Sequence, residues 1–198
     1  MFARRAPADR FSWVYLAAAL LLLRAAACAA AAPEVTVERR GDTFVVSARA
    51  PVAADADTAW SVITDYNRLA QFVPDLLASR LVNAPGERLR LLQEGEAGFL
   101  LWRFKLNVEL EIEETPRTRV AFRAVGGNLR RMQGAWRIEK ADNAIVLVYD
   151  AELEPGFWVP PLIGPAVMRS DVGGQIAGVV REIERRRDAG STATRPVP

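Results

Sequence analysis

The sequence predicts an α+β fold, a strongly curved antiparallel β-sheet wrapped around one long C-terminal helix. Three observations predict it. Apolar residues fall at every second position along Leu100, Trp102, Phe104, Leu106, Val108, Leu110 and Ile112, with Arg103, Lys105, Asn107, Glu109 and Glu111 between them and Leu101 the one exception. Side chains alternate across a strand, so this is one long strand with an oily face and a wet face, long enough to need a bend or a bulge. Strand-like segments then follow one another across turns too short for parallel crossovers. Finally, the last third of the chain carries an apolar stripe at helical spacing, and it is the only long element able to cover the sheet's oily side. A curved sheet around a single helix leaves a cavity between them.

The elements read in order as follows. Val35 and Val37 alternate with polar residues, Arg40-Gly41-Asp42 makes a turn, and Phe44, Val46, Ala48 and Ala50 alternate again, an opening hairpin ended by Pro51. Asp55 is suited to cap a helix through Ala59, Trp60, Val62, Ile63 and Tyr66, because its carboxylate can accept from free first-turn amides. A second short helical piece, about 68–72, stops at Pro74. Strands follow at about 79–83, 88–94, 99–112, 119–125, 129–139 and 144–153, separated by Ala84-Pro85-Gly86, Thr115-Pro116, Gly126-Gly127-Asn128 and Asp142-Asn143. From Pro161 or Pro165 a helix runs to about Arg187 on the stripe Ile163, Val167, Met168, Val172, Ile176, Val180 and Ile183. The tail 189–198 is Ser/Thr/Pro-rich and is expected to be disordered.

Residues 1–32 have the pattern of a secretory signal peptide: Arg4, Arg5 and Arg10, an apolar stretch 13–23, then a small-residue tract 25–32 with several cleavage options. The expected location is outside the cytoplasm, the periplasm in a bacterium. An uncleaved anchor and a lipoprotein on Cys28 are weaker readings, since Arg24 interrupts the apolar run and Ala25 stands where a lipobox prefers Leu. The whole chain holds 26 basic and 24 acidic side chains, but residues 33–198 hold 22 and 23, so the basic excess belongs to the leader and no nucleic-acid footprint remains. There is no histidine, and Cys28 is the one cysteine. Ser-His-Asp and Cys-His catalysis, His- or Cys-based zinc sites and intramolecular disulfides are thereby excluded. No metal and no cofactor is expected.

Several side chains invite a functional reading beside a plain one. Trp102, Phe104, Phe122 and Trp136 are core or cavity wall. Phe72, Phe157, Trp158 and Pro160, on connections beside the helices, mark a mouth, a membrane-facing tip or buried loop cores. Gly173-Gly174 in mid-helix either permits close packing on the sheet or leaves space for a ligand. By strand parity Glu109, Glu111 and Glu113 point to solvent rather than forming a catalytic pair, and Arg130-Arg131 and Arg185-Arg186-Arg187 are solvated ends. Tyr149 shares a face with Ile145, Leu147 and Leu153 and is the first choice to orient a ligand's polar group inside.

Trp60 to Pro74 (WSVITDYNRLAQFVP) with Ser79-Arg80, then Glu113-Glu114-Thr115-Pro116, Gly134-Ala135-Trp136-Arg137-Ile138 and Tyr149 to Pro161, resemble in order and spacing the START-like, helix-grip (SRPBCC) superfamily, in particular its polyketide cyclase/dehydrase and coenzyme Q-binding branch. The resemblance spans residues 35–187. It implies a seven-stranded sheet gripping the C-terminal helix, two short helices after the first strand, a domain over 33–188, and an apolar tunnel for lipids, isoprenoid quinones, sterols or polyketides. One fold hosts carriers, cyclases and regulators, so it does not imply one activity. The expectation is a monomer that binds or carries a hydrophobic small molecule, with transient membrane contact and no nucleic acid. Its ligand would meet Phe72, Trp102, Phe104, Leu106, Phe122, Trp136, Tyr149, Phe157, Met168, Val172 and Ile176. The alternatives are a cyclase or dehydratase using Tyr149 or a carboxylate as acid–base, and an interaction module whose pocket is filled by its own side chains.

Overall fold

The computed structural model describes residues 32–82, 88–99, 102–141, 144–161 and 163–193. The leader with its cleavage region, Leu100, Leu101 and the two turns at Ala84-Pro85-Gly86 and Asp142-Asn143 lie outside these. In chain order the elements are β1 (Glu34–Arg40), β2 (Thr43–Val52), α1 (Ala56–Ile63), a 3-10 helix (Tyr66–Gln71), β3 (Leu76–Leu81), β4 (Arg90–Phe99), β5 (Trp102–Thr115), β6 (Arg119–Gly127), β7 (Leu129–Ala141), β8 (Ala144–Pro155) and α2 (Gly164–Ala193). One sheet of 8 strands has the order β1-β2-β8-β7-β6-β5-β4-β3, with every neighbouring pair antiparallel.

This is the helix-grip architecture, with three corrections to the expectation. The sheet has 8 strands rather than seven, because the first arm of the opening hairpin pairs along its whole length, from Glu34 opposite Arg49 to Arg40 opposite Thr43. The two short helices therefore follow the second strand, not the first. The C-terminal helix also runs past the expected boundary at 188, so residues 189–193 are helical rather than tail. Gly190 is the only strong helix-weakener there, and a single glycine costs about 1 kcal/mol, too little to stop a helix.

The long strand keeps its alternation. Phe104, Leu106, Val108, Leu110 and Ile112 are on the concave side, while Arg103, Lys105 and Asn107 are exposed. The bulge is present: Glu109 pairs with Gly126 but Leu110 with Ala124, so Val125 is the extra residue on β6. That extra residue bends the sheet toward the helix. The following turn is pinned to β5, with Asn128 donating through Nδ2 to the Lys105 carbonyl at 2.7 Å and its Oδ1 accepting from the Asn107 amide at 3.0 Å. Gly127 sits at φ +108 with the Asn107 carbonyl where a Cβ would be, so only glycine fits. On the convex face the carboxylates are paired rather than free: Glu109 with Arg90 at 2.6 Å, and Glu111 with Arg88 and Arg123 at 2.6 and 2.9 Å.

Asp55 caps α1 as expected, accepting from the Thr58 amide at 2.7 Å and hydroxyl at 2.9 Å. The far end of α2 is latched to this region. Arg186 donates to Glu182 at 2.7 Å, to Asp65 at 2.6 Å and to the Ser61 carbonyl at 3.0 Å, and lies over the Phe72 ring. Arg186 is thus a structural clamp, not one of the solvated ends it resembles in sequence. Its partner Glu182 is also held by Arg185, and the hydrogen bonds from these guanidiniums bring the Glu182 carboxyl down from 4.5 to about 2. A depressed folded-state value means the stabilisation is complete above the unfolded value near 4.5 and lost as pH falls toward 2. Glu182→Gln is expected to cost about 2–3 kcal/mol at neutral pH. Urea denaturation from pH 7 downward should show wild type and variant converging between pH 4.5 and 2.

Candidate functional site

The two halves of α2 do different work. In the C-terminal half Ile176, Val179, Val180 and Ile183 are at most 3% exposed and join Val62, Ile63, Leu91, Val120 and Ile138 in the main core. The N-terminal half roofs a cavity of about 310 Å³, presenting Val167, Met168, Asp171, Val172 and Gln175 to it. Packed interiors hold few voids larger than a water molecule, whereas ligand pockets begin at about 300 Å³. This space is therefore a pocket, and the reading in which side chains fill it does not hold.

The sheet supplies the floor. β5 contributes Phe104, Leu106, Val108, Leu110 and Ile112, β6 Val120 and Phe122, β7 Met132 and Trp136, and β8 Tyr149 and Leu153. One end is closed by Ile63, Tyr66, Leu69 and Val73 from α1 and the 3-10 segment. There the Tyr66 hydroxyl donates to Glu114 at 2.6 Å, and burial together with that carboxylate holds the phenol protonated. The other end is closed by the β8–α2 connection, whose Phe157 stacks on Phe104 with centroids 4.6 Å apart and planes 11° off parallel. Arg39 ties this connection down, donating to the Val159 carbonyl at 3.0 Å. Trp158 beside it is 70% exposed.

Of the residues expected to meet a ligand, Phe104, Leu106, Phe122, Trp136, Tyr149, Phe157, Met168 and Val172 are on the cavity wall. Ile176 and Phe72 are not. Ile176 is 2% exposed in the core one turn beyond the cavity, and Phe72 packs against the latch. Trp102 opens β5, but its side chain lies outside the described residues. The glycine pair does not thin the helix over the cavity either. A Cβ on Gly173 would touch Val35 at 3.8 Å, and one on Gly174 would meet nothing within 4 Å.

Tyr149 is where the sequence places it. Its ring packs between Phe122 and Trp136, with centroids 5.8 and 4.7 Å away. Burial holds the phenol protonated, well above its usual range. No partner for its hydroxyl occurs among the described residues, so the group is free to meet a ligand. Asp171 was missed. It breaks the apolar stripe of α2 one turn after Met168, and that break was the available signal. Burial raises its carboxylate above the ordinary aspartate range against the pull of the nearby Gly98 amide, with Asp75 adding to the rise. Among the described residues no group of three or more Asp, Glu, His or Cys side chains could hold a metal ion.

The model of the family described as polyketide cyclase/dehydrase and lipid transport matches residues 52–180, from the end of β2 to Val180 of α2. The chain belongs to that family. Its match takes in all of α1, the floor strands and the cavity roof. Among solved structures, a STAR-related lipid transfer protein fragment from Xanthomonas axonopodis superposes with a TM-score of 0.63 at 17% identity, covering 78% of this chain and 95% of that one. The Zhui aromatase/cyclase from Streptomyces sp. R1128 gives 0.58 at 18% identity, with 73% and 95% covered. A START superfamily protein from Mycobacterium smegmatis gives 0.56 at 15%, with 73% and 97% covered. At such identities the likeness establishes the fold alone. A search of curated protein sequences finds no match.

Proposed function

We propose that this protein binds or carries a hydrophobic small molecule, such as a lipid, an isoprenoid quinone or a polyketide-like compound, in the space between the sheet and the first half of α2. The observation that carries the reading is the open cavity of about 310 Å³ with its largely apolar wall. Apolar ligands gain about 25 cal/mol for each Å² of surface removed from water, and a wall with few polar groups charges little desolvation in return. Tyr149, held protonated, offers the ligand a hydrogen bond rather than a base at neutral pH. Cyclase- or dehydratase-type turnover is the second reading, favoured by Tyr149 on the floor and the Asp171 carboxylate on the roof of the same cavity.

The leader pattern supports export, with the carrier acting in the periplasm. Protein isolated from that compartment should begin within residues 25–33, and a chain still starting at Met1 would overturn the export reading. Native mass spectrometry of the same preparation, followed by organic extraction, tests the pocket. The expected result is a mass excess that disappears on extraction and matches an apolar compound in the extract. A bare polypeptide mass, together with no uptake of the neutral apolar dye Nile red, would refute carriage. Conversion of a polyketide-like compound that Tyr149→Phe abolishes without weakening dye uptake would replace carriage with the enzyme reading.

A further inference from the structure

The charged residues lining the cavity are all acidic, Asp75, Glu96 and Asp171, with no Lys or Arg among the described lining residues and no His in the chain; the carboxylate of Glu96 itself turns to the outer face with Arg103. They gather where α2 passes the ends of β3 and β4. Asp75 immediately precedes β3, Glu96 is near the end of β4, and Asp171 on α2 lies close enough to Gly98 to feel its amide. The nearby cations are on the outer face: Arg103 is shared between Glu96 at 3.0 Å and Asp75 at 3.6 Å, and Lys105, opposite Glu96, is exposed. Asp171 is the carboxylate that α2 presents to the cavity, and no Lys or Arg is among the described lining residues to neutralise an incoming anion.

Such a wall discriminates by sign. Charges interact several times more strongly beside a low-dielectric cavity than in water, and a like charge brought against a half-buried carboxylate finds little screening. A lipid carboxylate or phosphate would meet Asp171 on the cavity side, while the nearby cation, Arg103, is turned to the outer face and held by Glu96 and Asp75. A protonated amine or a hydroxyl would donate to it. The interior adds an independent sign of a polar ligand group, because the enclosed Tyr149 hydroxyl has no partner among the described residues. Its O–H can give or take one hydrogen bond from a neutral group deeper in the pocket.

We propose that the cavity accepts amphiphiles whose polar end is a hydrogen-bond donor, cationic or neutral, and rejects anionic lipids, with Asp171 the residue that sets this preference. The inference rests on the carrier reading of the same cavity and narrows its ligand class.

Displacement of Nile red by dodecylamine, dodecanol and dodecanoate, each below its micelle concentration, at about 0.15 M salt, measures the preference with surface attraction screened. Dodecylamine should displace the dye at about tenfold lower concentration than dodecanoate, with dodecanol between them. Asp171→Asn keeps the side chain's size and its carbonyl oxygen and removes the charge. It should bring the amine-to-acid ratio close to one and leave dodecanol unchanged. If dye binds and dodecanoate competes as well as dodecylamine, or if Asp171→Asn leaves the ratio untouched, the charge preference is wrong and the cavity reading stands. If neither dye nor any of the three compounds binds, both fall.

Discussion

Gly134→Ala is expected to cost about 3 kcal/mol or more, while the same substitution at Gly174 gains up to about 1 kcal/mol. Gly134 sits in β7 opposite Phe122 of β6 and Ala151 of β8. A Cβ there would overlap the Asp150 carbonyl oxygen, lie 2.7 Å from the Phe122 ring and 2.9 Å from the Ala151 Cα. Two of those three atoms are backbone and cannot step aside without opening the β7–β8 ladder. The third is the ring that lies over the glycine and stacks toward Tyr149, so relief in that direction presses an aromatic into the cavity. At Gly174 a Cβ meets open space, and the helix gains from losing glycine's backbone freedom. Chemical denaturation of both variants gives the two signs. A neutral Gly134→Ala would mean that β7 and β8 are not in the register that forms this floor.

The contrast between the glycines shows what sequence patterns convey. Strand alternation reports which side of a strand is covered, and it placed Phe104, Leu106 and Tyr149 on the inner face because a slip of one residue would turn every one of them outward. Turn chemistry such as Gly126-Gly127-Asn128 located strand ends within a few residues, since the positive φ that Gly127 adopts is a local property. Periodicity does not report what lies on the covered side. Val172 and Ile176 belong to one apolar stripe, yet Val172 faces open volume and Ile176 packed side chains. Phe72 was misplaced for the same reason. An aromatic on a connection looks alike in sequence whether it borders a mouth or wedges under Arg186. The latch itself depends on Asp65, Glu182 and Arg186 meeting across more than a hundred residues, which no local pattern encodes.

Leu106→Trp is expected to abolish Nile red binding while changing stability by less than about 0.5 kcal/mol, whereas Leu147→Trp should cost about 1–3 kcal/mol. Both are leucines on the concave face of the sheet, and both gain the same indole. Leu147 is 1% exposed within the main core, so the added ring has nowhere to go without forcing neighbours off their rotamers. Leu106 lines the cavity between Phe104 and Val108. Its side chain points into the open volume, so the indole can extend into space a ligand would occupy. Its burial offsets the strain of a larger residue and removes the volume available to the dye. Thermal denaturation and dye titration on the two variants read the difference. Equal destabilisation would show that the space above Leu106 is packed in solution, and retained dye binding by a stable Leu106→Trp would place the ligand elsewhere. Only an open pocket at this position makes one substitution silent for folding and decisive for binding.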